Sequence, residues 1–289
     1  MRSSEPIPGA LAGAPSAAIV LSAGAVKPRD RLGHHDYLAG SALLADLLRQ
    51  TPGVDAVLVP EGWPEDERIL DTAGSLVCYS GGGGKQPFLG SAERIERIQR
   101  RVDRGMGLVM IHQAVSFPPE LAARAARWLG GAHVRTRSGG GHWWTHHRDF
   151  PEHPATRGVR PWRIRDGWLN GVEFAADADG VVPLVWAGPR HRGSRAGGAA
   201  DVVCWTWERP DGGRSFCFSG LDAHSTWSVP GVRQLVVNGI LWSAGLPVPA
   251  AGAPCAADAA AIDHYRTPRR AGGLAVLAAV ARAARRAVT

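Results

Sequence analysis

Short, almost continuous apolar runs alternate with amphipathic stretches through the first half of the chain. The runs are Ala17-Ala-Ile-Val-Leu-Ser-Ala23, Asp55 to Pro60, Ser75-Leu-Val-Cys-Tyr-Ser80 and Gly107-Leu-Val-Met-Ile111. Such runs, bounded by turn residues, predict strands buried on both faces. Between them Leu43, Leu44, Leu47 and Leu48 mark one face of a helix stopped by Pro52-Gly53, Pro64 to Arg68 starts a short acidic turn, and Ile95, Ile98 and Val102 mark a helix ended by Gly105. Strand and helix in alternation with short connections predict a parallel sheet with helices on both faces, and a site at the carboxyl ends of the strands.

The rhythm changes after Gly107 to Ser116, which reads as strand, sharp turn and then helix, the helix running from Leu121 to Leu129 and stopped by Gly130-Gly131. Gly139 to His153 is expected to be a glycine-rich, irregular connection holding His142, Trp143, Trp144, His146, His147 and His153. Val181 to Trp186, Val202 to Trp207 and Arg214 to Ser219 read as strands, the last two joined as a hairpin by Arg209-Pro-Asp-Gly-Gly213. Val232, Leu235, Val236, Val237, Ile240 and Leu241 line a helix ending near Gly245. This gives an amino-terminal extension over 1–16, an α/β body over 17–249, an Ala/Pro/Gly-rich linker over 250–273 and an amphipathic helix over 274–289. That helix, with its alanine face and Arg282, Arg285 and Arg286, is expected to pack on the body or on a second subunit, as in a homo-oligomer, rather than on a membrane.

Composition narrows the class. With 45% hydrophobic and 20% charged residues and 11 tryptophans, the 289-residue chain is globular and can bury a large core. The formal charge of +7 comes from scattered arginines, so a basic surface is favoured over nucleic-acid binding. Cys78, Cys204, Cys217 and Cys255 lack C-x-x-C spacing and read as reduced residues. Prolines and glycines interrupt the amino terminus, and no apolar run reaches membrane-spanning length. The expected compartment is the cytoplasm.

The chemistry-bearing residues fall on loop ends. His112 stands at the elbow, where a serine or cysteine would suggest a covalent nucleophile; an imidazole suits metal binding or proton transfer. His34-His35-Asp36 follows the first strand, the His142 to His147 cluster sits in the long connection, and Asp222 and His224 follow the last strand. Divalent transition metals take imidazole and carboxylate ligands from separated loops of this kind. Gly81 to Gly84 with Lys85 lacks P-loop spacing and reads as a flexible loop ahead of a phosphate site. No G-x-S-x-G occurs, which disfavours a serine hydrolase.

Several phrases carry a family resemblance over Ala17 to Pro249: His35-Asp36-Tyr37, Gly107 to His112, His153-Pro-Ala-Thr-Arg-Gly158, Ile164-Arg-Asp-Gly-Trp168, Arg214 through Gly220 to His224, and Val237-Asn-Gly-Ile-Leu-Trp-Ser-Ala-Gly245. The chain resembles the trehalose-utilisation (ThuA-like) family. The resemblance implies a flavodoxin-like, class I glutamine amidotransferase-like three-layer α/β sandwich with a mostly parallel sheet, with the amidotransferase cysteine replaced by His112. It also implies carbohydrate metabolism, 3-keto sugars included, and metal dependence. Two positions depart from the family pattern: Gly167, where many relatives are acidic, and Asp222, where some have histidine.

The combined expectation is a metal-assisted lyase, isomerase or hydrolase that enolises a sugar or glycoside, such as a 3-keto sugar. His112, His224 and Asp222 are the expected ligands, with His35 or His142 completing the set, and the metal is zinc or manganese foremost. Asp36 or His147 would serve as base, and Trp143, Trp144, Trp168 and Trp227 would stack on sugar rings. The alternative is a non-catalytic binding or scaffold protein on a fold that has lost its elbow nucleophile.

Overall fold

A computed structural model describes residues 17–25, 33–188, 198 and 201–266. The expected extension over 1–16, the loop residues Lys27, Pro28 and Arg29, and the helix over 274–289 lie outside the described residues.

The apolar runs become β1 (Ala17–Ala23), β2 (Val54–Val59), β3 (Ala73–Tyr79) and β4 (Gly107–Ile111). Their side chains alternate between two cores. Ile19, Leu21, Val77, Val109 and Ile111 face one, while Val20, Leu76, Cys78, Leu108 and Met110 face the other. This period of two on a doubly buried strand is why the runs show no polar alternation in sequence. On the first face lie α1 (Tyr37–Leu48), α4 (Pro230–Ser243) and α5 (Ala259–Tyr265). The second is covered by α2 (Ala92–Val102) and α3 (Ala122–Leu129). The result is the three-layer α/β sandwich expected from the sequence.

Completing the sheet are β10 (Val182–Trp186), β11 (Val202–Glu208) and β12 (Arg214–Phe218), in the order β10-β11-β12-β4-β3-β1-β2. Strands β2, β1, β3, β4 and β12 are mutually parallel. Strand β11 runs antiparallel to both its neighbours, through the hairpin turn expected at Arg209 to Gly213. Buried arginine Arg209 stitches this turn to the body, donating to the carbonyls of Met106 (2.6 Å) and Trp128 (3.4 Å). Cys78, Cys204, Cys217 and Cys255 are free, and burial pushes the Cys78 thiol up to about 12.

Three features differ from the sequence reading. The helix expected after the elbow forms as α3, but a 3-10 turn (His112–Val115) and β5 (Ser116–Phe117) precede it, and β5 pairs with β6 (Gly131–Val134) and through it with β9 (Val172–Phe174). The segment expected to be irregular forms β7 (Gly139–His147), paired in register along its length with β8 (Trp162–Asn170). Its glycines and histidines concealed a strand that buries only alternate residues at its far end. Finally, the residues after Pro249 do not leave the body at once: Ala253 and Ile262 are buried, and Gln50 bonds the Ala256 backbone through both side-chain atoms.

His153 belongs to this framework. It caps the 3-10 turn Pro154–Thr156, its Nδ1 accepting from the Ala155 amide at 3.1 Å, while Nε2 faces the Thr206 hydroxyl at 3.3 Å. Burial first, and then the Arg214 charge, lower its pKa from the ordinary 6.5 to about 4. The folded state therefore holds a neutral ring where the unfolded chain takes a proton, so stability present above pH 6.5 is lost as pH falls through 6.5 toward 4. His153→Asn keeps a cap acceptor without the titration, and its urea midpoint should fall less than that of the wild type across this window.

Candidate metal centre

Three loops at the carboxyl edge of the parallel strands, joined by strand β7, converge on one carboxylate. Asp222 follows β12 and is 2% exposed. Its Oδ2 lies 2.7 Å from His34 Nδ1 and 2.6 Å from His142 Nε2; its Oδ1 lies 2.9 Å from His35 Nε2 and 3.3 Å from His112 Nε2. His35 and His112 sit side by side, with ring centroids 5.3 Å apart. Burial alone would raise the Asp222 carboxyl, but the imidazoles around it, His112 foremost, hold it well below the usual carboxylate range.

The backbone is built to produce this convergence. The non-glycine residues with positive φ among those described are His35 (52°), His112 (57°) and Leu221 (67°), each either touching Asp222 or adjoining it. The left-handed turn at His35 lets consecutive histidines reach the two oxygens of one carboxylate, which extended chain would point apart. The loops after β1 and β12 are then zipped together: the His35 amide donates to Asp222 O at 2.9 Å and the His224 amide to Gly33 O at 2.7 Å. From beneath, Asp166 on β8 accepts the amides of Leu221 (2.7 Å), Gly167 (2.9 Å) and Ala223 (3.2 Å). Burial pushes the Asp166 carboxyl up, while these three amides pull against it.

His112 shows most clearly what the cluster can hold. Its Nδ1 contacts the Ser219 carbonyl at 3.0 Å, and since a carbonyl only accepts, Nδ1 carries the proton. In the neutral ring Nε2 then presents a lone pair toward Asp222 Oδ1; neither buried atom makes a hydrogen bond, and the same oxygen has His35 Nε2 at 2.9 Å. Two facing acceptors call for a cation between them, and a carbonyl fixing the far nitrogen is the usual support of a metal-binding imidazole. His35, His112 and Asp222 offer ligand atoms within 4.8 Å of one another, as do His34, His142 and Asp222.

The expected site residues divide accordingly. His35, His112, His142 and Asp222 come together. His224 does not join them: its Nε2 donates to the Ile262 carbonyl at 3.0 Å, turned toward α5. His147 lies on β7, five residues beyond His142, about 16 Å along a strand and on the opposite face; its ring packs on Trp162. Asp36 is buried at the start of α1. Trp168 and Trp227 are core residues, 1% and 0% exposed, with no ring face for a ligand. Trp143 packs partly against the core, while Trp144 is 54% exposed, on the same face of β7 as His142, under the Arg163 guanidinium. Sequence reasoning placed His34 in the loop without choosing it, and missed Asp166, whose signal was an acid within an otherwise buried stretch of β8.

The chain matches the family model for ThuA, trehalose utilisation, over residues 30–243. No curated protein matches it. Among solved structures it is similar to a ThuA-like protein from Bacteroides uniformis, at 13% identity and a TM-score of 0.58, covering 82% of this chain and 95% of that one. A second, from Parabacteroides merdae, has 16% identity and a TM-score of 0.56, covering 88% of this chain and 100% of that one. At these identities the likeness is one of fold.

The two departures noted in sequence touch each other. Gly167 pairs with His142 across the β7–β8 ladder, and a Cβ at 167 would lie 2.7 Å from Asp222 Cβ and 2.8 Å from its Oδ2. The Asp222 side chain fills the space that a side chain at 167 would occupy. Gly167→Ala is therefore expected to cost about 1–3 kcal/mol of unfolding free energy, as overpacking does. Asp222→Gly should relieve most of that cost in a double-mutant cycle followed by urea denaturation; additive effects would show that the two positions are not coupled.

Proposed function

The chain belongs to the ThuA family, trehalose utilisation, and from that premise we propose that it is a metal-assisted enzyme that enolises an oxidised sugar or glycoside, such as a 3-keto sugar, ahead of isomerisation, elimination or hydrolysis. The observation that carries the metal is the buried His112 Nε2 lone pair facing Asp222 Oδ1 at 3.3 Å, with no hydrogen bond made by either atom and His35 Nε2 2.9 Å from the same oxygen. His35, His112 and Asp222 would hold the ion, and the imidazole and carboxylate donor set suits zinc or manganese. A bound divalent ion would supply Lewis-acid polarisation of the substrate carbonyl.

The remaining work falls to the chain's own side chains. His34 Nδ1 and His142 Nε2 flank the other carboxylate oxygen, and His142 is exposed on the ribbon above the centre. An imidazole there can take the proton from the carbon next to the ketone and return it at a neighbouring atom. His142 replaces Asp36 and His147 as the candidate base because it is the one that adjoins the centre. Ser219 O holds the His112 tautomer. Trp144, two residues from His142, offers the open aromatic face for a sugar ring.

Elemental mass spectrometry of untagged protein tests the centre. Near-stoichiometric metal is expected in the wild type, with loss in His112→Ala and Asp222→Ala. His142→Ala should retain the metal and lose at least 100-fold in turnover of keto sugars followed by the carbonyl signal. Wild-type protein that takes up no zinc, manganese, cobalt or nickel would overturn the reading and favour a non-catalytic binding protein.

A further inference from the structure

Beside the metal centre, and bounded by His35 of that centre, lies a cavity of about 480 Å³, within the range of small-molecule sites. Ser116 and His133 line it together. They stand opposite each other on the paired strands β5 and β6, and His133 Nδ1 lies 2.9 Å from Ser116 Oγ. The far side of the ring settles the direction of that hydrogen bond. His133 Nε2 meets the Gly139 carbonyl at 2.8 Å; a carbonyl only accepts, so Nε2 carries the proton and, in the neutral ring, Nδ1 accepts from the Ser116 hydroxyl. Burial pushes the pKa of His133 down, which keeps the ring neutral.

A hydroxyl bonded to a base whose other nitrogen is fixed by a third group is the arrangement that activates serine as a nucleophile. It escapes the G-x-S-x-G signature because it is assembled across two strands and not on an elbow. The serine is held from behind, its carbonyl accepting from the Gly83 amide at 2.6 Å and from Gln86 Nε2 at 2.8 Å. The glycine loop after β3 passes close beside it, since a Cβ at Gly82 would lie 2.8 Å from Ser116 Cβ. Gly81 and Gly82 line the same cavity, and their amides make no hydrogen bond among the described residues. Free amides beside a nucleophile can receive the negative charge of a tetrahedral intermediate.

We propose that Ser116 and His133 form a catalytic dyad that hydrolyses a small carboxylic ester bound in this cavity, a second activity that does not use the metal. Ser116 Oγ attacks the ester carbonyl carbon as its proton passes to His133 Nδ1, with the Gly81 and Gly82 amides as donors to the carbonyl oxygen. The bond from that carbon to the alcohol oxygen then breaks, and Nδ1 returns the proton to the departing oxygen. Water attacks the acyl-serine next, giving a proton to Nδ1, which passes it to Ser116 Oγ as the acid leaves. One ester and one water become one acid and one alcohol, and the dyad is restored.

The test treats the full chain, once stripped of metal by a chelator and once loaded with zinc, with a fluorophosphonate, and locates the adduct by mass spectrometry of the digest. Turnover of p-nitrophenyl acetate is followed alongside. A single adduct on Ser116 is expected, at the same rate in both preparations, and labelled protein should lose its esterase turnover. Ser116→Ala should abolish both signals. His133→Gln, which keeps a donor for the Gly139 carbonyl but removes the base, should slow adduct formation about 100-fold. The adduct is read on the unmutated chain, so its presence does not depend on how the variants fold. No adduct, an adduct on residues other than Ser116, or esterase turnover unchanged in Ser116→Ala would overturn the proposal. Metal uptake without the Ser116 adduct would sink this inference alone, and the adduct on a wild type that takes up no metal would sink the metal-assisted reading alone.

Discussion

The arrangement depends on keeping one carboxylate ionised inside the protein. Asp222 is nearly inaccessible, and a buried charge is tolerated only when its surroundings replace the water it has lost. Here the imidazoles of His34 and His142 bond one oxygen, and those of His35 and His112 crowd the other, from the loops after β1 and β4 and from strand β7. Backbone strain is concentrated in the same place: His35, His112 and Leu221 hold positive φ without being glycine, at a cost of about 1–3 kcal/mol for each. Strain of that size persists where neighbouring contacts over-determine the geometry, and those contacts can be named. The Asp166 carboxylate holds the Leu221 and Ala223 amides, Tyr79 Oη donates to Leu221 O at 2.5 Å, and the His34–Ala223 bridge joins the loops.

This division between residues at the centre and residues that orient them explains an asymmetry among the polar groups. His112 and Asp222 are left with unpartnered atoms facing each other, while Asp166, equally buried, is saturated by three backbone donors. A carboxylate whose lone pairs are spent on amides fixes geometry; one whose oxygen faces a lone pair has capacity to bind a cation. His224 also keeps an unpartnered Nδ1, with Nε2 on the Ile262 carbonyl, and is set apart by position, since it joins no group of candidate ligands among the described residues.

Much of the sheet was legible because burial on both faces writes itself into sequence as an unbroken apolar run, as in β1 and β4, and the hairpin of β11 and β12 because its turn chemistry is local. The β7–β8 ribbon was not. Its pairing joins residues far apart in the chain, and at the Gly139 to Trp144 end most positions are partly or fully exposed, so neither periodicity nor apolarity marked it. Convergence of His35, His112 and Asp222 could be anticipated from strand ends in a parallel sheet, whereas the arrival of His142 depends on the antiparallel β7–β8 ribbon. Choosing His34 and setting aside His224 and His147 could not, because the choice turns on a single left-handed residue at 35, a carbonyl on α5 and the parity of positions along a strand. The coupling of Gly167 to Asp222 was likewise invisible as two separate departures and becomes one fact once the side chain of Asp222 is seen against Gly167.

Topology separates chemistry from recognition. The loops after β1, β4 and β12 bring three histidines and the carboxylate to one point, and the β7 ribbon brings His142 over it. The glycine loop after β3 and the end of β6 place Lys85 and Arg135 around the adjoining cavity, with His35 and Gln113 at the boundary between the two. Lys85 and Arg135, unlike His35, can therefore change without moving the atoms around Asp222. The reverse does not hold, since any shift of Asp222 disturbs Gly167, the Asp166 amides and both zipped loops. On the proposed function, a centre so over-determined beside a cavity walled by loop residues would let one fold keep its chemistry while its ligand is reset at a few exposed positions.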